Sequence, residues 1–172
     1  MYEIFNRLNT GGINLTPQEI RASLYHSRFY DMLFRTNMDT RWRALVGPRE
    51  PDLHMRDIEV LLRAVAMWRF GNSYAPSMVK FLNRFSKEAQ AYDQDEIEAV
   101  HQTLEWFMDA TSSLPRSVFL SRQSKFMVTL FEAVFASACQ LHDQGSIEQI
   151  YLALRTWPDL VIRQLLAVKW WL

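Results

Sequence analysis

Met1-Tyr-Glu-Ile-Phe-Asn-Arg-Leu-Asn-Thr-Gly-Gly-Ile-Asn-Leu-Thr-Pro-Gln-Glu-Ile-Arg-Ala-Ser-Leu-Tyr25 joins a helical stub, a polar glycine loop and a strongly signalled helix start. Ile4, Phe5 and Leu8 share one helical face, and Gly11 or Gly12 can take the positive φ that ends a helix without steric cost. Thr16 has the chemistry of an N-cap and Pro17 suits the first helical position. Glu19 stands where its carboxylate reaches back to the cap's own N–H, so the three residues form a capping box. The spacing predicts a helix from Thr16 to about Tyr30, extending past Ser27 to Phe34, with Ile20, Leu24, Tyr30, Leu33 and Phe34 inward.

The same logic runs outward along the chain. A short helix is expected over Arg41 to Val46, and Gly47-Pro-Arg-Glu-Pro51 breaks it. Ile58, Leu61, Leu62, Val65 and Trp68 recur at core-facing helical spacing. Gly71 through Pro76 closes that helix and sets Pro76 at the start of the next, in which Met78, Leu82 and Phe85 align. Asp93-Gln-Asp-Glu96 is a second capping box, opening a helix with Ile97, Val100, Leu104, Phe107 and Met108 on one side. Ser113 to Ser117 breaks it. Phe126 to Leu141 is apolar almost all round apart from Glu132, which makes it the candidate central helix. Two short helices are expected from Ser146 and from Thr156. The expected fold is therefore all-α, a compact orthogonal helical bundle of about seven to nine helices.

Composition narrows the function. At 172 residues and 49% apolar the chain can bury one sizeable core as a single helical domain, and its zero net charge gives no global field for nucleic acid. Residues 1–70 hold ten arginines against eight acidic residues, so any anion-facing surface is expected there. The lone Cys139 offers no disulfide and reads as a buried small hydrophobe. No signal peptide or uncharged apolar run of spanning length is present, so a cytoplasmic protein with no membrane partner is expected. Four scattered histidines, without a His-x-x-x-His or Cys-x-x-Cys spacing, argue against a metal site. No nucleophile elbow or phosphate-binding P-loop occurs, so this chain is not expected to catalyse alone, and no catalytic residue is assigned.

Phe5, Asn9, Gly12, Leu15 and Glu19, within the stretch Ile4 to Arg21, resemble the signature of the GmrSD-type restriction endonuclease N-terminal domain family, also known as domain of unknown function 262. The likeness continues in His54-Met-Arg-Asp-Ile-Glu-Val-Leu-Leu-Arg63, in Tyr74 through Lys80-Phe-Leu-Asn83 and in Phe131-Glu-Ala-Val-Phe135. In that family an upstream lobe, similar to ParB and sulfiredoxin, carries an Asp-Gly-Gln-Gln-Arg motif tied to nucleoside triphosphate use. That motif does not occur in this sequence. The resemblance thus implies the C-terminal helical lobe of a larger split domain within a modification-dependent (type IV) restriction or anti-phage protein. Its implied partners are the ParB-like lobe in cis or trans, modified DNA and a downstream or separate nuclease. No cofactor is expected in this chain, and a nucleoside triphosphate with Mg in a full-length parent.

Arg7, Asn9, Thr10, Gly11, Gly12 and Glu19 are the candidates for contact with a nucleotide or with the other lobe, since small residues let backbone N–H groups approach a phosphate beside a helix start. A Gly-Gly turn with a local Asn9 hydrogen bond, and a Glu19 that only caps its helix, explain the same residues. Arg21, Arg28 and Arg35, like Arg49, Arg56 and Arg63, recur every seven residues and suggest rows of guanidinium groups facing a phosphate backbone. The alternatives are a solvated face paired with Asp31, Asp57 and Glu59, or a defined ion-pair network between lobes in which Arg21, Arg28, Arg56, Asp57 and Arg63 take part. The aromatic stripe of Trp106, Phe107, Phe126, Phe131 and Phe135 reads as core rather than as a pocket for a flipped base. Lys169-Trp-Trp-Leu172 suggests docking on neighbouring structure or on sequence beyond this chain. Two other functions remain open: a stand-alone helical nucleic-acid-binding module, and a structural dimerisation or interaction domain.

Overall fold

A computed structural model describes residues 15–145, and among these residues the chain forms seven α-helices. They are α1 (Pro17–Leu24), α2 (Arg28–Asn37), α3 (Thr40–Val46), α4 (Arg56–Phe70), α5 (Met78–Ala89), α6 (Gln94–Thr111) and α7 (Val128–Asp143). Short 3-10 turns cover Gly71–Ser73 and Arg116–Phe119. The only extended pairing among the described residues is an isolated antiparallel bridge between Leu120 and Phe126. The fold is all-α, as the periodicities predict.

Both capping boxes form. The Thr16 hydroxyl accepts from the Glu19 N–H at 3.2 Å while the Glu19 carboxylate accepts from the Thr16 N–H at 2.6 Å. Asp93 and Glu96 repeat the exchange at 2.9 and 3.0 Å. Each satisfies orphan N–H groups of a first turn, at roughly 1 kcal/mol per cap. Gly47 ends α3 at φ 109°, a conformation open to glycine.

Helix α4 is the hub, packing most extensively along α7 and also touching α1, α2 and α5. Ile58, Leu61, Leu62 and Val65 are all buried on it, each worth on the order of 2 kcal/mol of apolar burial. On the other side of α7, Phe131 packs on Trp42 (ring centroids 5.4 Å), and Phe107 on Phe135 (4.9 Å). Phe107, Phe131 and Phe135 of the aromatic stripe are core, as expected, whereas Trp106 and Phe126 are half-buried, and the Trp106 ring lies tilted 4.2 Å from that of His142. Cys139 is fully buried.

Three expected boundaries need correction. The first long helix is two helices, interrupted at Tyr25–Ser27. The Ser27 side chain does not cap α2, so the break carries little local signal. Pro76 lies outside α5, which starts at Met78 behind a Ser77 cap. The central helix begins at Val128 rather than Phe126, because Phe126 is held in the bridge with Leu120. The helices expected from Ser146 and Thr156, and the Lys169–Leu172 end, lie outside the described residues.

Candidate functional site

Arg21, near the end of α1, has no exposed surface. A buried guanidinium is costly unless its donors are matched, and here the matches come from three helices. Its Nε donates to Asn83 Oδ1 of α5 at 3.0 Å. One Nη donates to Gln18 Oε1 of the same helix and lies 3.5 Å from Glu59 Oε2 of α4. Glu59 also approaches Arg63, one turn along, at 4.0 Å. Arg63 in turn forms an ion pair with Glu132 of α7. Burial pushes the Glu132 carboxyl above its ordinary value, and the Arg63 guanidinium opposes that rise.

A second buried pair anchors the loop before α4. Arg43 Nη1 donates to Asp57 Oδ2 at 2.9 Å, and the same oxygen accepts from the Asp52 N–H at 2.9 Å. Asn37 Oδ1 accepts from both Arg43 and Trp42 Nε1, the latter at 2.8 Å. These bonds tie the loop to α2 and α3, which holds the start of α4 in place.

The start of α1 is clasped to that loop. Thr16 Oγ1 donates to the His54 carbonyl at 3.2 Å, and His54 Nδ1 lies 3.6 Å from Glu19 Oε2. The bonds from Thr16 hold the Glu19 carboxyl below its ordinary value, with burial opposing and His54 adding to the lowering. Between the two helix starts lies a cleft of about 360 Å³ whose polar lining is Thr16, Gln18, His54, Arg56, Glu59 and Arg63. A larger cleft of about 570 Å³ adjoins it, sharing His54, Arg56, Val60 and Val128, with Pro48, Pro51, Leu53 and Phe126 as further apolar lining.

The expected site residues therefore divide. Arg7, Asn9, Thr10, Gly11 and Gly12 lie outside the described residues. Glu19 caps its helix and faces His54. The seven-residue row of Arg21, Arg28 and Arg35 does not exist as one face, because the chain breaks between α1 and α2: Arg21 is buried while Arg28 and Arg35 are exposed on α2. Asp57 and Arg63 sit in ion pairs, whereas Arg56 is exposed at the first position of α4 with no side-chain ion pair among the described residues. Asp31 faces His26 at 3.2 Å rather than an arginine.

Gln18, Arg43, His54, Asn83 and Glu132 belong to the site and were not chosen from sequence. Only Glu132 carried a signal, a lone acid on an apolar helix that demands a buried cation. Two partners of Arg21, Glu59 and Asn83, stand 38 and 62 positions away, beyond any local pattern. Among the described residues no group of three or more His, Cys, Asp or Glu is placed to hold a metal ion, and no helix is long and apolar enough to cross a membrane. Burial pushes the Cys139 thiol well up, which removes its nucleophilic form. No family model, curated protein or solved structure matches the chain.

Proposed function

We propose that this chain is the helical lobe of a GmrSD-like, modification-dependent restriction or anti-phage protein of the cytoplasm, scaffolding a surface that faces a nucleotide or DNA. One observation carries the reading. The four separated stretches that resemble the family each contribute a polar side chain to a single connected cluster: Arg21 from the first, Glu59 and Arg63 from the second, Asn83 from the third and Glu132 from the fourth. The Asn9–Gly12 block, outside the described residues, precedes by a few positions Thr16, which lines the polar cleft.

The chemistry supports a scaffold rather than an enzyme acting alone. Arg21, Arg43 and Arg63 direct their charge to carboxylates of the same body, which fixes α1, α3, α4 and α7 relative to one another. A ParB-like lobe, in cis or in trans, would supply nucleoside triphosphate chemistry with Mg, and a separate nuclease the cleavage.

The test is a plaque count. Cells expressing the chain together with its genomic flanking sequence are challenged with a phage carrying modified bases and with its unmodified counterpart. Fewer plaques from the modified phage alone are expected. Equal plating of both, with full expression, would overturn the reading.

A further inference from the structure

We propose that the larger, apolar cleft receives Leu53 of a second copy of this chain, so that two copies pair about a two-fold axis with each leucine seated in the other's cleft. The inference is independent of the function proposed above.

Leu53 is 91% exposed, the most exposed large hydrophobic side chain among the described residues. A single leucine in solvent is ordinary. This one stands at the rim of an apolar cleft of about 570 Å³ lined by Val60, Phe126 and Val128, and the exposed Val79 continues the same surface through the adjoining cleft. Contiguous apolar surface of this kind marks a contact site. The loop that carries Leu53 is also pinned on both sides. The Asp52 N–H donates to Asp57 at 2.9 Å, Asp52 Oδ1 accepts from the His54 N–H at 2.9 Å, and the His54 carbonyl accepts from the Thr16 hydroxyl at 3.2 Å. A side chain presented by a fixed loop loses little freedom on docking.

Self-complementarity identifies the occupant. Leucine and cleft lie side by side on one face, so a two-fold rotation makes both reciprocal contacts at once and the assembly closes at two copies. The charges agree. Among the charged groups lining the cleft, Arg43 and Asp57 pair with each other, Asp52 accepts from the backbone N–H groups of His54 and Arg56, and His54 faces Glu19. Glu50 and Arg56 remain, both exposed and neither with a side-chain ion pair among the described residues. A partner surface of one sign would leave one of them unmatched, whereas a second copy offers an arginine to the glutamate and a glutamate to the arginine. The chain's zero net charge adds no long-range repulsion between copies. Two leucines and two exposed ion pairs make a small contact, so the dimer is reversible rather than obligate, with a Kd on the order of 10–100 µM.

Sedimentation equilibrium of the full chain from about 5 µM to about 0.5 mM tests this, and the mass is expected to rise from monomer to dimer and stop there. Leu53→Ser should weaken association at least about tenfold, because both reciprocal contacts lose their leucine, while its melting temperature stays that of the parent. Met38→Ser, at a side chain 63% exposed outside both clefts, should leave association unchanged. Glu50→Arg and Arg56→Glu should each weaken it about threefold or more by facing like charges, and the double variant should return to within about twofold of the parent. A monomer throughout the range, association indifferent to Leu53→Ser, growth beyond two copies, or a double variant no better than either single one would each overturn the proposal.

Discussion

Replacing Arg21 by Met gives the sharpest test of how the arginines are used. The side chain is fully buried, so methionine fills most of its volume and the change isolates the polar head. Removing that head strands the Gln18 carbonyl, which is 1% exposed, and takes a donor from Asn83. A buried acceptor left unmatched costs about 1–3 kcal/mol. Glu59 keeps 30% of its side chain in solvent, so water replaces most of what it loses and it adds little. Relief from holding a buried cation offsets part of the cost, leaving a net loss of about 2 kcal/mol. In urea, with a slope of about 2 kcal/mol per molar, the midpoint should fall by about 1 M at unchanged slope. Arg28→Met, on the exposed face of α2, should stay within about 0.5 kcal/mol of the parent. If Arg21→Met costs no more than Arg28→Met, the buried cluster does not organise the fold and the reasoning fails.

Three further outcomes follow from local geometry. Thr16→Ala removes the hydroxyl that accepts from Glu19 and donates to the His54 carbonyl, and should lose about 1 kcal/mol in a denaturant titration. Gly47→Ala forces a side chain into φ 109° with its Cβ against the exposed, movable Arg116 guanidinium, so a loss of about 1–2 kcal/mol is expected; adding Arg116→Ala should restore only part of it, since the backbone strain remains. Glu132 has a folded pKa above its unfolded value, so it binds its proton more tightly when folded and contributes stability that declines as pH rises through that interval. Glu132→Gln lacks this decline, and thermal melts from about pH 4 to 7 should show the variant gaining on the parent as pH rises; a constant offset would refute the assignment.

Much of the scaffold was legible because it rests on local rules. The capping boxes need only residues three apart, and the apolar stripe of α4 needs only helical spacing. The break between α1 and α2 was not legible, since Tyr25-His-Ser27 holds no Gly or Pro and Ser27 makes no capping bond. That one miss propagated: an unbroken helix puts Arg21 in a row with Arg28, whereas the break leaves Arg21 facing inward towards Asn83. The candidate site was legible only at its edges. Arg56, Asp57 and Arg63 were singled out as phosphate or inter-lobe ion-pair candidates, but Asp57 pairs with Arg43, Arg63 finds Glu132 69 positions away, and Gln18 and Asn83 look in sequence like any surface amide. Tertiary pairing of this kind has no periodicity to betray it.

A double-mutant cycle on Arg63→Met and Glu132→Leu tests most directly whether separated stretches of this chain are bound into one polar cluster. Denaturant titration of the parent, both single variants and the double variant gives the coupling between α4 and α7. The account predicts a coupling of about 1–3 kcal/mol, the double variant being far more stable than the sum of the single losses implies. Single effects that add to within about 0.3–0.5 kcal/mol would contradict it.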